Sequence, residues 1–182
     1  MELTTNTIER RLDRLESLHA IRQLPYRYAY GVDARDLETF MALWDDSQPP
    51  TEYPDLDYHK FAQGTERFFK TSVASIHLVG NHVIDFLDDD HAKGKVYCWV
   101  QTDRHGTWVR QMVLYLDDYV RRDGRWLFAK RRHLLWYGER ADANPRDQEP
   151  MDWPHGDLQG NGSFGRGSLP EDFDTYRAFW AT

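Results

Sequence analysis

Four consecutive segments rich in β-branched and aromatic residues occupy the middle of the chain. They cover residues 75–87, 94–102, 108–122 and 125–137. Such residues favour strands, and turn sequences such as His105-Gly106 and Asp123-Gly124 separate them. An Asp-Gly pair between two strands is typical of a tight hairpin, because glycine tolerates positive φ. The sequence therefore predicts an antiparallel meander, and any fold for this chain has to contain it.

The residues ahead of these strands have helical periodicity. Apolar side chains recur at spacings of three and four at Ile8, Leu12, Leu15, Leu18 and Ile21. This spacing is that of an amphipathic helix, which we expect Pro25 to kink or restart. Asp36 is placed to cap a short second helix, and a third helix is predicted from about Thr65 to Ser75. Helices followed by strands give an α+β domain.

The composition excludes several classes of function. A chain of 182 residues with a formal net charge of −7 is most simply one domain, without the basic surface typical of nucleic-acid binding. Its one cysteine, Cys98, cannot form an intrachain disulfide or a Cys-x-x-Cys zinc motif. We recognise neither a signal peptide nor an apolar run of membrane-span length. We therefore predict a cytoplasmic protein that binds neither nucleic acid nor membrane.

The first predicted strand is apolar on both of its faces. Its even positions include Ile76 and Leu78, and its odd positions include Val79 and Val83. A sheet that is apolar on both faces is covered on both faces, and the N-terminal helices can cover only one of them. We therefore expect a second copy of the chain to cover the other, which makes the protein a homo-oligomer.

Three polar residues in apolar surroundings are candidates for chemistry. Asp33 ends the first helix on its apolar side, His77 lies in an apolar strand, and Arg131 lies in the segment WLFAKRRHLLWY. A buried carboxylate needs a partner, and an imidazole is a natural one. An aspartate that accepts from one ring nitrogen fixes the tautomer and leaves the other nitrogen free as a base. Arg131 could then stabilise a departing anion or a developing oxyanion.

Each candidate also has a purely structural interpretation. An aspartate at a helix end is commonly a cap, a strand histidine is commonly structural, and an arginine in a basic run is commonly solvated. A metal site is the least favoured interpretation. His77 and His82 lie an odd number of positions apart, so we expect them on opposite faces of their strand.

Several ordered segments together resemble a known family. They are GVD at residues 31–33, LWDD at 43–46, IHLVGN at 76–81 and RRDGRWLFAK at 121–130. The pattern covers roughly residues 8 to 137 and is similar to the SnoaL-like branch of the NTF2-like superfamily. The resemblance implies a cone-shaped α+β barrel, with N-terminal helices packed in a curved antiparallel sheet around a deep pocket. It also implies a trimer, or a dimer in other branches, built on the outer face of the sheet.

The resemblance assigns roles to the three candidates. Asp33 matches the family's dyad aspartate, His77 matches the dyad histidine that takes the substrate proton, and Arg131 matches an arginine of the dehydrochlorinase pocket. Tyr28 stands where dehydrochlorinases of the family have a lysine. Thr102 stands where its scytalone dehydratases have a second histidine. The base is therefore present, while the residues that assist the leaving group differ from those of each relative.

We predict a pocket wall rich in aromatic rings. The candidates for substrate binding are Tyr28, Tyr30, Trp44, Tyr53, Trp99, Thr102, Met112, Tyr115, His133 and Trp136. Such a wall implies a small apolar or cyclic substrate. No cofactor or metal ion is required by this chemistry.

Three functions are consistent with these residues. The first is a cofactor-independent lyase, a dehydratase or dehydrohalogenase, in which His77 removes a proton. The second is an isomerase or polyketide-cyclase-like enzyme that uses the same base without a leaving group. The third is a non-catalytic ligand-binding subunit, because fold alone does not settle function.

The chain divides into two parts on this interpretation. Residues 1–138 form the barrel domain. Residues 139–182 form a C-terminal extension, initially rich in glycine and proline and ending in aromatic residues. We expect this extension to dock on the barrel or on a neighbouring subunit.

Overall fold

The helices precede the strands, and a short helix follows them, in a computed structural model that describes residues 2–50, 57–149, 171 and 173–181. The helices ahead of the sheet are α1 (Glu2–Asp33), α2 (Leu37–Met41) and α3 (Tyr58–Thr71). The strands are β1 (Ser75–Phe86), β2 (His91–Arg104), β3 (Thr107–Arg122) and β4 (Arg125–Arg140). A short 3₁₀ turn at Pro145–Asp147 and helix α4 (Asp174–Trp180) complete the described elements.

The strands form one antiparallel sheet in the order β1-β2-β3-β4, so the predicted meander is confirmed. The two-residue turns at His105-Gly106 and Asp123-Gly124 have positive φ at both positions. This geometry matches the twist of the flanking strands and explains why glycine occupies the second position of each turn. The α+β fold, with helices packed in a curved antiparallel sheet, is the cone-shaped barrel that the resemblance implied.

A restart of the helix at Pro25, one of the two outcomes predicted there, is wrong, and so is the predicted start of the third helix. Helix α1 continues through Pro25 instead of restarting there, and the proline side chain is fully buried. Packing of the helix against the core therefore outweighs the backbone bond that proline removes. Helix α3 begins at Tyr58, well before the predicted Thr65, because Asp57 caps it by accepting from Lys60 N at 2.8 Å.

The main core lies between the helices and the inner face of the sheet. Its largest buried members are Ile21, Leu24, Tyr28, Val32, Phe40, Leu43, Trp44, Phe69, Tyr119, Trp126 and Phe128. A second cluster lines the inner face of β2 and β3 with Val96, Cys98, Val100, Val113 and Tyr115. The helices thus cover only this inner face, which carries the residues discussed below.

A bulge in β1 resets which side chains point inward. His77 pairs with Val100 and His82 pairs with Val96, with a register shift between Val79 and His82. Val100 and Val96 are both buried and an even number of positions apart, so both histidines face the interior. The expectation that they lie on opposite faces was wrong, because a bulge changes the period-2 count of a strand.

The outer face of the sheet carries a row of exposed apolar side chains. Leu78, Trp99, Met112 and Tyr137 are directly opposite one another across the strands, and Leu78 is 68% exposed. Trp136, 65% exposed, packs against Tyr97 on this same face. No described residue of the chain covers this row.

Helix α4 packs on the barrel. Thr175 donates to the carbonyl of Ala34 at 2.8 Å, and Tyr176 donates to the carbonyl of Val73 at 2.9 Å. Phe179 contacts Phe69 with 6.0 Å between ring centroids. The end of the extension therefore joins the turn after α1 to the segment that precedes β1.

Two glycine-to-alanine substitutions are expected to change stability in opposite directions. A Cβ at Gly94 would lie 2.6 Å from the Tyr119 ring and 3.0 Å from His82 Nε2, so Gly94→Ala should lower the free energy of unfolding by about 1–3 kcal/mol. A Cβ at Gly64, in α3, meets nothing within 4 Å, so Gly64→Ala should raise it by roughly 0.5–1 kcal/mol. Urea unfolding of both variants measures this contrast, and equal effects would contradict it.

Candidate active site

The C-terminus of α1 places Asp33 against the start of β1. Asp33 Oδ1 lies 2.7 Å from His77 Nδ1 and accepts from Ser75 Oγ at 2.9 Å. Asp33 Oδ2 accepts from the backbone N–H of His77 at 2.8 Å. The side chains are 19% and 7% exposed for Asp33 and His77. The carboxylate is thus removed from water but surrounded by donors, which is the condition for burying it.

These contacts determine the tautomer of His77. An ionised carboxylate only accepts hydrogen bonds, so Nδ1 of the ring carries the proton that points at Asp33. Nε2 of neutral His77 then has a lone pair, and it has no hydrogen-bond partner among the described residues. An imidazole held in this way can accept a proton while the carboxylate stabilises the resulting cation.

Arg131 is placed differently from the expectation. Its side chain and that of Asp117 are both 0% exposed, joined by two hydrogen bonds of 2.7 Å. Burial acts to lower the pKa of Arg131, but attraction to Asp117 outweighs this and the pKa is raised. The guanidinium lies between the rings of Tyr28, Tyr115 and Phe128 at 4.1–4.4 Å. It therefore does not reach a solvent-accessible surface, and direct contact with a departing anion would require it to move.

Aromatic side chains around this cation form an inner wall. The Tyr28 ring meets the His77 ring edge-on at 6.2 Å between centroids, and Tyr28 Oη lies 3.4 Å from His133 Nε2. Tyr115 packs edge-on against His133 at 4.7 Å. Burial raises the pKa of Tyr28, so its hydroxyl stays protonated at neutral pH. Three of the predicted pocket residues, Tyr28, Tyr115 and His133, are thus brought together with His77.

His133 combines exposure with a strongly shifted titration. It is exposed, yet desolvation by the surrounding protein, followed by the charge of Arg131, lowers its pKa to about 4. Leu135, two residues on and 59% exposed, is opposite the buried Val113 on the inner face. The inner face is therefore less covered at this end of β4 than at Phe128, which is fully buried.

A second polar group in the interior escaped the sequence analysis. His82 Nε2 lies 3.0 Å from the hydroxyl of Tyr119, which donates to Asp117 Oδ2 at 2.7 Å. Burial lowers the pKa of His82 to about 4. The chain His82–Tyr119–Asp117–Arg131 depends on the bulge that turns His82 inward. The signal for it was Gly80-Asn81 within a strand, since a glycine inside a strand commonly marks a bulge.

Four of the predicted pocket residues lie elsewhere. Tyr30 is 68% exposed and packs on Phe173. Its neighbour Ala29 faces the core, and the next residue of a helix points in a different direction. Trp99, Met112 and Trp136 lie on the outer face of the sheet. The prediction that these four residues line the pocket was therefore wrong. For the three strand residues, the strand register places the side chain on the outer face and not on the inner one.

The remaining predicted residues have structural positions. Thr102 is buried and bonded to Ser72 Oγ and to the carbonyl of Ala74, contacts that give it a structural role. Trp44 lies in the main core at 5.0 Å from the Phe128 ring. Tyr53 lies outside the described residues.

Metal binding and membrane insertion find no support in the described part of the chain. No group of three or more His, Cys, Asp or Glu side chains there is placed to hold a metal ion. Likewise, none of its helices is long and apolar enough to cross a membrane.

Helices packed in a curved antiparallel sheet are the architecture of the NTF2-like class of α+β barrels. A family model described as the SnoaL-like domain matches residues 13–132, more than half of the chain. The protein therefore belongs to the SnoaL-like family. It has no match among proteins of curated function.

Solved structures share this fold at low sequence identity. Hexachlorocyclohexane dehydrochlorinase LinA type 2 is 23% identical and aligns over 71% of this chain and 92% of its own, with a TM-score of 0.65. LinA type 3 from Novosphingobium barchaimii LL02 is 22% identical over 73% and 95% of the two chains, with a TM-score of 0.65. A protein of Novosphingobium aromaticivorans DSM 12444, proposed to be a scytalone dehydratase, is 17% identical over 72% and 92%, with a TM-score of 0.64.

The buried imidazole of His82 predicts a loss of stability in acid. Its pKa falls from an ordinary 6.5 to about 4 on folding, so between these values the unfolded chain binds a proton that the folded protein does not. The free energy of unfolding therefore decreases as the pH falls through this window, by up to about 1.4 kcal/mol per pH unit.

Urea unfolding between pH 7 and pH 4 measures this dependence. His82→Gln should flatten the slope, whereas His59→Gln, at an exposed position of α3, should leave it unchanged. An identical slope in wild type and His82→Gln would contradict the assignment.

Proposed function

We propose that the protein is a cofactor-independent lyase of the dehydratase or dehydrohalogenase type. The observation that carries the proposal is the 2.7 Å contact between Asp33 and His77, which leaves Nε2 of a neutral imidazole free as a base. Membership of the SnoaL-like family supports it, and so does the shared fold with a dehydrochlorinase structure. No cofactor enters the proposal because the imidazole itself supplies the base.

In the proposed reaction, His77 Nε2 removes a proton from a carbon next to an activating group. Asp33 stabilises the imidazolium that forms, and the electron pair of the C–H bond expels hydroxide or halide from the neighbouring carbon. The Tyr28 ring meets the His77 ring edge-on, and its hydroxyl can donate to the leaving oxygen. The positive charge of Arg131, 4.3 Å from the centre of the Tyr28 ring, stabilises negative charge that develops there.

The described wall favours a small neutral, cyclic substrate. Asp117 and Arg131 neutralise each other, and His133 is uncharged near neutral pH because its pKa is about 4. The Tyr28 and Tyr115 rings, almost fully buried around Arg131, make these surroundings aromatic. An anionic substrate would meet no unpaired cation among these described residues.

An isomerase or cyclase is the second candidate, and His133 favours it. It places a second uncharged imidazole on the same inner wall as His77, where its N–H could hold an enol oxygen while the His77 imidazolium returns the proton to another carbon. A lyase product is lighter than its substrate by water or hydrogen halide, while an isomerase product has the same mass.

Substitution of the dyad tests the proposal. We expect His77→Ala and Asp33→Ala each to lower kcat by about 10²- to 10⁴-fold, the contribution of a positioned general base, with circular dichroism unchanged. The assay incubates the protein with a panel of small cyclic alcohols, halides and hydroxyketones in D₂O and analyses products by mass spectrometry. His59→Gln is the matched control and should retain wild-type turnover.

The outcomes separate the candidates. Loss of water or hydrogen halide from a substrate supports the lyase, and deuterium incorporation at unchanged skeleton mass supports the isomerase. Wild-type turnover in both alanine variants would refute the dyad. Ligand binding without turnover or deuterium exchange would favour the non-catalytic binding subunit.

We further infer that the apolar outer face is covered by other copies of this chain, in a trimer or alternatively a dimer. Its exposed row includes Leu78 and Trp136. Leu78→Glu combined with Trp136→Glu should therefore lower the mass measured by analytical ultracentrifugation to that of a monomer. Leu87→Glu, at an equally exposed position beyond the end of β1, is the control. A wild-type protein that sediments as a monomer would contradict the inference.

A further inference from the structure

Arg35 is a buried cation two residues after Asp33, and none of the roles assigned above includes it. Its backbone adopts φ of 56°, and the residue is 2% exposed. The guanidinium donates to the carbonyls of Val32 and Ser72 and, from Nη1 at 3.0 Å, to Ser75 Oγ. A left-handed backbone at a non-glycine residue is unfavourable, so these contacts must hold the turn in place.

The bond to Ser75 connects Arg35 with the dyad. Ser75 Oγ lies 3.0 Å from Arg35 Nη1 and 2.9 Å from Asp33 Oδ1. The chain Arg35–Ser75–Asp33–His77 thus runs without a break from a buried cation to the imidazole. Its Asp33–His77 step is the shortest, at 2.7 Å.

The chemistry of these groups fixes which one donates and which one accepts in each hydrogen bond of the series. A guanidinium can only donate, so Ser75 Oγ accepts from Arg35 and its single hydroxyl proton is directed at Asp33. An ionised carboxylate can only accept, so the proton between Asp33 and His77 sits on Nδ1. Each donor in the chain fixes the orientation of the next group, and the last group is the proposed base.

We propose that Arg35 is a positioning residue that acts through Ser75 to hold the Asp33 carboxylate in place and His77 in the Nδ1-protonated form. Its hydrogen bond to Ser75 Oγ commits the serine proton to Asp33. The consequence for turnover rests on the proposed function, whereas the effect on the His77 proton does not.

A purely structural role is the competing explanation. Arg35 also ties the carbonyls of Val32 and Ser72 together, which by itself would close the turn between α1 and β1. The two roles differ at Ser75, because the serine hydroxyl contributes to the chain and not to the carbonyl contacts. Ser72 supplies a matched control, since it is an equally buried serine whose hydroxyl bonds to Thr102 instead.

The experiment follows the His77 Nδ1 proton by NMR in the full chain, without any ligand. The downfield N–H signal is assigned by its loss in Asp33→Ala. Ser75→Ala should speed its exchange with water roughly tenfold, the effect of one hydrogen bond to a charged group, whereas Ser72→Ala should leave it unchanged. Equal exchange rates in the two serine variants would overturn the proposal.

Variants of Arg35 test whether this residue is the first donor of the hydrogen-bond series. Arg35→Lys keeps a donor and a charge and should preserve the slow exchange, while Arg35→Met should match Ser75→Ala. The double variant Arg35→Met/Ser75→Ala should be no faster than either single one, since residues in one network are not additive. Additive effects would indicate independent roles and overturn the proposal. If Arg35→Met does not fold, the two serine variants decide.

Turnover separates this proposal from the proposed function. With a substrate identified from the panel, Ser75→Ala should lower kcat roughly tenfold with KM unchanged, and Ser72→Ala should not. An unchanged kcat in Ser75→Ala overturns the positioning role while leaving the lyase intact. Slow exchange that depends on Ser75, in a protein that turns over nothing, supports the chain and refutes the lyase.

Discussion

The carboxylate of Asp33 joins the last turn of the longest helix to the first residues of the sheet. Burying one charge obliges the protein to supply donors around it, and here Ser75 and His77 supply three hydrogen bonds to the carboxylate. Because two of these donors are side chains at fixed positions on β1, the helix end, the strand start and the imidazole are located together. A structural requirement therefore produces the arrangement that a proton-abstracting site needs.

A second buried charge, that of Arg131, is stabilised in a different way. Arg131 and Asp117 pair through two hydrogen bonds inside a cage of aromatic rings. Breaking such a pair from one side leaves an uncompensated charge and is strongly destabilising. In the proposed function, this pair acts through the electrostatic field that it imposes on Tyr28 and His133. The groups proposed to meet a ligand are therefore neutral ones beside buried charges.

Much of this arrangement could be predicted from the residues. The order of helices and strands followed from periodicity and from turn sequences such as Asp123-Gly124, and the need of Asp33 for a partner pointed to His77. Register could not be predicted in the same way. Which face of a strand lies inside depends on its register against the neighbouring strands, so Trp99 and Met112 were placed inside although they face out. Whether Arg131 is solvated or buried depends on Asp117, which lies directly opposite it on β3. The residues next to Arg131 in the sequence do not reveal this partner.

Arg35 has a buried position that its local sequence does not predict. In GVDARD, the arginine resembles an ordinary solvated charge, yet its left-handed backbone turns it back under the helix. The turn that ends α1 and the polar chain behind the imidazole are thus a single feature. Helix α4, anchored to the carbonyl of Ala34 in the same turn, adds support from the far end of the chain.

The bulge at Gly80-Asn81 has an evolutionary consequence. Because it adds one residue to β1 between Val79 and His82, a single-codon deletion there would restore strict alternation and leave the first half of the strand untouched. His82 would then follow Val79 by two positions and would still lie opposite Val96, so both histidines would keep facing the interior. Descendants of one scaffold could therefore differ in length by one residue at this point without exchanging either inward imidazole.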